Sequence, residues 1–381
     1  MFEPIDSQRS ELSLLNKFWQ LNWVVVLLLC ASAGIGFAML YSAGNGSFEP
    51  WASRQIVRFG IGIVFLLVIA LIDLRFWYRY AYPIYLAALA LLAAVEFAGF
   101  GAMGAQRWIN LGIIQLQPAE IMKIALVLAL ARYFHAANAI DLGRILYLIL
   151  PLLLVAGPTV LMVRQPDLGT AVMLVAASGV VFFLAGVRLW MFGLALAAVL
   201  AAVPVAWHFL HGYQKKRIMT FLDPSSDPLG AGYHILQSKI ALGSGAIFGK
   251  GFLQGTQSHL NFLPEKQTDF IFTMLAEEFG LAGGLGLLGL YFLLLAYGMA
   301  ISLRARSQFG RLLGAGVTVT FFLYLFINIG MVMGLLPVVG VPLPMISYGG
   351  TAMLAVMIGF GLLLSVGIHR DLRIGRRGPI E

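Results

Sequence analysis

One cysteine, Cys30, stands in a chain of 381 residues. A lone cysteine excludes an internal disulfide and every multi-cysteine zinc pattern. The six histidines show no H-E-x-x-H or related spacing, so no metal motif is readable either. Charge is scarce as well: Asp, Glu, Lys and Arg make up 11% of the chain, less than half of the roughly 25% usual in soluble domains. A chain so poor in charge does not read as a soluble domain. Low-complexity segments, heptad runs and a convincing internal repeat are all missing, and the last absence weighs weakly against transporters built from inverted repeats. The glycine-rich "GSGAIFGKGFLQGTQ" at 243–257 lacks the G-x-x-x-x-G-K-[ST] spacing of a phosphate-binding loop and reads as a folded loop.

What is present is apolar. Hydrophobic residues make up 60% of the chain, in runs that repeatedly reach the roughly 20 residues needed to cross a hydrocarbon core of about 30 Å. Ten spans are expected, at about 21–42, 54–72, 81–98, 118–134, 145–163, 168–186, 189–210, 270–301, 312–335 and 347–368. The first follows a polar segment and no A-x-A-like cleavage site follows it, so it reads as a retained span. The expected fold class is an all-α polytopic membrane protein. It forms a single integral membrane domain over 1–381, with a long loop at about 211–269 between the seventh and eighth helices.

The net charge of +8 sorts by side. With the N-terminus cytoplasmic, the inner margins carry Arg9, Lys17, Arg75, Arg79, Arg132, Arg144, Arg188 and a group running from Arg304 to Arg377. The short outer loops and their margins carry only Arg54, Arg58, Arg107 and Arg164. That asymmetry follows the positive-inside rule and places both termini in the cytoplasm. The basic excess is thus a topology signal and implies no nucleic acid.

Four stretches interrupt the apolar pattern. In "GFGAMGAQRWINLGIIQLQPAEIMK", 99–123, Pro118 suits a first helical turn, and Glu120 and Lys123 then share one face. Lys123 lies about 7 Å into that helix at 1.5 Å per residue. An ionisable group at such depth usually faces a cavity or a partner; the alternative is a self-neutralised pair at the rim, with Lys123 snorkelling outward. The loop at 211–269 holds the basic cluster "KKR" at 215–217 and a turn-rich stretch at 223–232. An amphipathic helix follows, with Leu229, Tyr233, Leu236 and Ile240 on one face and Lys239 elsewhere. "GLLPVVGVPLPMISYGGTA", 334–352, cannot continue a helix. It is either a rigid turn or irregular backbone buried in protein or lining a wet cavity.

The fourth stretch, "NFLPEKQTDFIFTMLAEEFG" at 261–280, sets Asp269 at the start of a long apolar helix with Glu277 and Glu278 inside it. Aspartate there is a preferred helix cap, worth about 1 kcal/mol; it is equally a candidate general base. The glutamates lie about 12 Å deeper by helix rise. Being adjacent, they cannot face one partner, and at least one is expected to pair within the bundle as a structural group.

"FLPEKQTDFIFTMLAEEFG" and "GLLPVVGVPLPMISYGG", the latter preceded by Asn328, together resemble the SEDS family (shape, elongation, division and sporulation). "GAQRWINLG" and "QPAEIMK" resemble the same family's outer loop and fourth helix. The likeness runs over essentially all ten spans and is nearer to the family's elongation members than to its division members. It implies a peptidoglycan glycosyltransferase polymerising lipid II into glycan strands at the outer face of the bacterial inner membrane. Its implied partners are a class B penicillin-binding transpeptidase and other elongation-complex membrane proteins.

The resemblance makes Asp269 the essential residue, and Glu120 and Lys123 correspond to the family's glutamate and lysine. Two positions depart from the pattern. Gln267 stands where many members have histidine, which argues against an obligatory imidazole shuttle. Gln115 stands where many have arginine, which removes a phosphate ligand. Candidate substrate contacts are Arg107, Glu120, Lys123, Lys239, Lys250, Glu265 and Ser347. No organic cofactor is implied; a divalent cation, Mg or Mn, stays open. The chemistry agrees: an acceptor hydroxyl attacking an anomeric carbon needs a carboxylate base, and the departing diphosphate needs cations. A lipid II flippase and a non-catalytic scaffold for the transpeptidase are the competing readings.

Overall fold

The computed structural model describes residues 13–98, 100–102, 105–110, 115–138, 140–209, 212–223, 227, 230–260, 262–263 and 265–375. Arg9, Arg376, Arg377, Leu229 and half of the 223–232 turn lie outside the described residues, as do the side chains of Lys216 and Arg217. The chain runs α1 (Leu14–Trp19), α2 (Trp23–Ala43), α3 (Ala52–Leu71), α4 (Leu74–Ala98), β1 (Phe100–Ala102), β2 (Ala105–Asn110), β3 (Gln115–Leu116) and α5 (Pro118–His135). It continues through α6 (Ile145–Arg164), α7 (Leu168–Ala185), α8 (Leu189–Phe209), α9 (Gly212–Leu222), α10 (Ala231–Ser244), α11 (Thr256–His259), α12 (Ile271–Arg304), α13 (Gln308–Val332) and α14 (Gly350–Ile368).

Eight helices among the described residues are long and apolar enough to cross a membrane: α2, α3, α4, α6, α7, α12, α13 and α14. Of the other two expected spans, α5 forms a helix but carries Glu120, Lys123 and Arg132, and the apolar run of α8 covers Leu189–Ala202. Helix α4 starts at Leu74, ahead of the expected residue 81. Its first two turns are amphipathic: Leu74, Tyr78 and Ala81 are buried while Arg75 and Arg79 are exposed. The arginines make that stretch look like a loop in the sequence.

The core gathers α5, α13 and α14. Small residues let these helices approach closely, as expected where hydrophobic contrast with lipid is absent. Gly361 of α14 is an example: a Cβ there would stand 2.9 Å from the Leu66 carbonyl of α3. Buried hydroxyls within the spans bond back one turn, Ser302 Oγ to the Gly298 carbonyl and Thr318 Oγ1 to Gly314, so neither hydroxyl is left unpaired in an apolar setting.

The glycine-rich loop at 99–116 holds a small antiparallel sheet in the order β1–β2–β3, with Phe100 opposite Trp108 and Ile109 opposite Leu116. Helix α10 leaves outward two residues of the apolar face expected for an interfacial or re-entrant segment. Ile235, Ser238 and Ala241 are buried against α12 and α13, whereas Leu236 and Ile240 are exposed. The seating is polar and close: Ser238 Oγ bonds Thr273 Oγ1 at 2.9 Å and the Val332 carbonyl at 2.8 Å.

Helix α12 is 34 residues, about 51 Å at 1.5 Å per residue, too long for one crossing. It breaks at Gly280 (φ 66°, ψ −163°). A break inside a span frees backbone groups that must find partners. The 246–251 segment supplies them. Lys250 and Gly251 amides donate to the Glu277 and Glu278 carbonyls, both at 3.0 Å, while Leu281 and Ala282 amides donate to the Ala246 and Ile247 carbonyls, both at 2.9 Å. The fit leaves no room for a Cβ. At Gly249 (φ 81°) one would stand 2.1 Å from the Glu278 carbonyl oxygen. Gly249→Ala is therefore expected to cost on the order of 2–3 kcal/mol, from left-handed strain plus backbone displacement. Thermal unfolding in detergent should show it as a lowered Tm. Gly243→Ala is the control: it sits in α10 with open space around it and should be neutral or stabilising.

Candidate functional site

Asp269 ends a turn over 265–270 that leads into α12. The N-cap of α12 is Phe270, with no side-chain cap bond, so Asp269 is not in the capping position. The turn is pinned through its backbone. Asn328 Nδ2 of α13 donates to the Asp269 carbonyl at 3.0 Å, Ser347 Oγ to the Thr268 carbonyl at 2.6 Å, and the Tyr348 amide to the Gln267 carbonyl at 2.8 Å. The carboxylate of Asp269 faces Gly340 (φ 73°), where a Cβ would stand 3.4 Å from Oδ2. Lys266, in the same turn, is buried and donates to the Ser258 carbonyl at 2.9 Å; that burial pushes its ammonium pKa down.

The 333–349 connection is irregular, exposed at Met333, Leu335 and Gly340 and buried from 343 to 347. Val341, Leu343, Met345, Ile346 and Ser347 are all in the core. Its backbone is accounted for by side chains: Asn328 Nδ2 reaches the Val341 carbonyl at 2.7 Å, Tyr291 OH the Pro344 carbonyl at 2.6 Å, and Gln55 Nε2 the Ser347 carbonyl at 3.0 Å. Helices α3, α12 and α13 thus fix one loop against the Asp269 turn.

Beside that turn opens a groove of about 920 Å³, walled by α3, the sheet and the start of α14. Thr268, the neighbour of Asp269, lines it together with Arg54, Arg58, Trp108, Gln115 and Tyr348. Arg58 stacks over the Tyr348 ring at 4.9 Å. In the sequence Arg54 and Arg58 register only as topology charges. Their spacing of four at the start of an apolar helix is the same kind of signal that singles out Glu120 and Lys123.

Those two residues line a separate small cavity with Tyr324 between α5, α13 and α14. Lys123 Nζ donates to Glu120 Oε1 at 2.8 Å and to the Tyr324 hydroxyl, which itself donates to Glu120 Oε2. All three side chains are buried, and the lysine also sits over the Tyr324 ring at 4.1 Å. Tyr324 and Asn328 are one helical turn apart on α13, so the buried pair binds that helix one turn from the residue that holds the Asp269 carbonyl. The sequence points to the lysine and glutamate; the tyrosine carries no signal there.

The remaining candidates scatter. Arg107 of β2 reaches the Pro166 carbonyl and lies 3.9 Å from Asp167, the N-cap of α7. Lys239 is exposed on α10, its ammonium packed over the Gly334 backbone. Glu265 accepts from Thr268 Oγ1 at 3.1 Å within its own turn. Ser347 is the backbone clasp already described. Lys250 is committed elsewhere: it pairs with Glu277 at 2.8 Å, which also accepts from the Gln257 amide at 2.9 Å and Ser258 Oγ at 3.0 Å. Glu278 takes Ser42 Oγ at 2.5 Å and His259 Nε2 at 3.2 Å. Both glutamates therefore anchor neighbouring segments at the helix break, on different partners. Among the described residues no group of three or more His, Cys, Asp and Glu side chains converges as a metal site.

Comparison with known proteins places the whole chain. The family model FTSW_RODA_SPOVE, described as a cell cycle protein, matches residues 17–372. The chain is 46% identical to the peptidoglycan glycosyltransferase MrdB of Escherichia coli (strain K12), over 94% of this chain and 97% of that protein. It is 35% identical to a probable peptidoglycan glycosyltransferase FtsW of Trichlorobacter lovleyi, over 93% and 96%. Among solved structures, a chain of a peptidoglycan synthase complex that coordinates polymerization and crosslinking superposes with a TM-score of 0.79 at 35% identity, covering 92% of this chain and 98% of that one. The rod-shape-determining protein RodA of Thermus thermophilus gives 0.69 at 30% identity, covering 93% and 98%. With a family model spanning nearly its whole length and relatives of this similarity, the chain belongs to the FtsW–RodA–SpoVE family of multi-pass membrane proteins.

Proposed function

We propose that this protein is the peptidoglycan glycosyltransferase of cell elongation, joining lipid II units into glycan strands at the periplasmic face of the bacterial inner membrane. The observation that carries the reading is Asp269, held by three backbone clasps next to a large cationic groove in a chain so similar to MrdB. The acceptor hydroxyl gives its proton to the Asp269 carboxylate as its oxygen bonds the donor's anomeric carbon. The bond from that carbon to the diphosphate breaks, and polyprenyl diphosphate leaves. The carboxylate then returns the proton to solvent. Glu120, Lys123 and Tyr324 act as positioning residues through α13.

The reading includes ten spans with both termini cytoplasmic and the 211–269 loop periplasmic. It also includes a class B transpeptidase as partner, supported by the likeness to a polymerising and crosslinking complex. Topology is checked in a Cys30→Ala background: Ser226→Cys should react with a membrane-impermeant thiol reagent in cells whose outer membrane alone is permeabilised. Labelling only after lysis would invert the assignment. The function itself is tested by supplying lipid II to the purified protein in proteoliposomes, with and without the transpeptidase and across Mg and Mn concentrations. Glycan strands on a gel are expected. Movement of lipid II across the bilayer with no polymer would replace the reading by transport.

A further inference from the structure

The backbone clasps on the Asp269 turn all come from one part of the fold. Asn328, Ser347 and the Tyr348 amide hold the carbonyls of residues 267 to 269, and all three belong to α13 or to the connection that follows it. Lys266 ties the same turn to a different element. Its side chain is buried, and Nζ donates to the Ser258 carbonyl of α11 at 2.9 Å. Burying an ammonium is costly unless it is bonded, and methionine would fill the same space without that cost. The lysine is there to hold something.

What it holds is itself braced. Helix α11 has four residues, too few to keep its own shape and place. Glu277 of α12 keeps them. Its carboxylate accepts from the Gln257 amide at 2.9 Å, the Ser258 amide at 3.3 Å, Ser258 Oγ at 3.0 Å and Thr256 Oγ1 at 3.2 Å. Gly255 makes room for that approach, since a Cβ there would stand 3.0 Å from Glu277 Oε2. His259, the last residue of α11, meets Glu278 Oε1 through Nε2 at 3.2 Å. Ser258, Lys266 and Glu277 are all buried, so water does not compete for these bonds. The result is a closed bracket. It runs from Glu277, about two turns into α12, through α11 and Lys266 to the turn, and back along α12.

We propose that Lys266 is a positioning residue for Asp269, fixing the catalytic turn to α11 and so to the paired glutamates of α12. The proposal rests on the polymerase reading for what Asp269 does, and goes beyond it in assigning reaction rate to a residue outside the groove. Lys266 is not among the residues that line the groove, so it acts through the backbone and not by touching substrate there. Its loss should therefore slow the reaction and leave substrate affinity nearly unchanged. A displacement of about 1 Å at a reacting group is enough to cost on the order of a hundredfold.

The test takes two readouts from the full-length protein with its transpeptidase partner in nanodiscs. One is kcat and KM for lipid II polymerisation. The other is hydrogen exchange in a peptide covering 265–272, where the Thr268 amide is bonded to the Glu265 carbonyl at 3.1 Å. Lys266→Met keeps an unbranched stem and removes the ammonium. Its kcat is expected to fall roughly tenfold or more, with KM within about twofold of the parent and clearly faster exchange in the turn. Lys266→Arg restores a cationic donor and should return most of the rate and the slow exchange. Ser258→Ala removes one bond to Glu277, should lower kcat about threefold, and decides the matter if Lys266→Met fails to fold. Parental kcat in the folded variants overturns the proposal, whether or not exchange in the turn is faster. A loss in Lys266→Arg equal to that in Lys266→Met overturns it too. A parent that makes no glycan, but whose turn loosens in Lys266→Met, keeps the bracket and sinks the polymerase reading. Glycan synthesis by a parent whose turn is indifferent to Lys266 does the reverse.

Discussion

Replacing Asp269 with asparagine is expected to abolish glycan synthesis while leaving the fold and the partner complex in place. The substitution keeps the side chain's size and removes its ability to accept a proton. Asparagine caps helices about as well as aspartate, so a capping role predicts almost no change. Capping is in any case assigned to Phe270, whose position has no side-chain bond. The turn does not depend on the carboxylate either, because Asn328, Ser347 and the Tyr348 amide hold the carbonyls of residues 267 to 269. A general base contributes roughly a hundred- to ten-thousandfold, and that is the expected loss in polymerisation rate. Co-purification with the transpeptidase and an unchanged Tm would show that the loss is chemical. Running the assay across Mg and Mn concentrations separates a base from a cation ligand, since only the latter should be partly rescued by excess metal. A folded, partner-bound Asp269→Asn protein that polymerises lipid II at the parental rate would sink the assignment.

Much of this site is legible in the sequence, for a reason visible in particular residues. An apolar chain makes every charge conspicuous, so Glu120, Lys123, Asp269, Glu277 and Glu278 stand out from the sequence alone. The two glutamates read as architecture there, and their bonds to Lys250, Ser42 and His259 are of that kind. What the sequence does not show is who pairs with whom. Lys250 looks like a substrate contact because its partner, Glu277, lies 27 positions away and meets it only across the break in α12. Lys123 looks free to meet substrate because nothing marks Tyr324 as its third partner. Gly245 and Gly249 are visible as a loop composition, and Gly280 only as one residue of an expected span. Their purpose, letting a strand of backbone close the broken helix, depends on contacts between segments that periodicity does not encode. In helix α10 the close contact is made by small and polar Ser238, which apolar periodicity does not single out, while Leu236 and Ile240 look outward.

Lys123→Ala is expected to damage both fold and activity, and a second variant separates the two. Lys123 and Glu120 are buried and bonded at 2.8 Å, with Tyr324 completing the cluster. Removing one partner of a buried pair leaves an uncompensated charge and typically costs about 3–5 kcal/mol. Poor expression and a lowered Tm should follow in the single variant. Replacing both members, Lys123→Met with Glu120→Gln, removes both charges together. Such neutral replacements of buried pairs are often tolerated, because the desolvation cost disappears along with the attraction. The glutamine's carbonyl can still accept from the Tyr324 hydroxyl. Most of the lost stability should return, and unfolding of the double variant should lie close to that of the parent. Polymerisation should not return with it. The cluster fixes Tyr324 one turn from Asn328, which grips the Asp269 carbonyl, so its loss is expected to displace the Asp269 turn. A displacement of about 1 Å at a catalytic group can cost on the order of a hundredfold in rate, and that is the expected loss. A stable double variant that makes glycan at the parental rate would show instead that the pair only neutralises itself within the bundle.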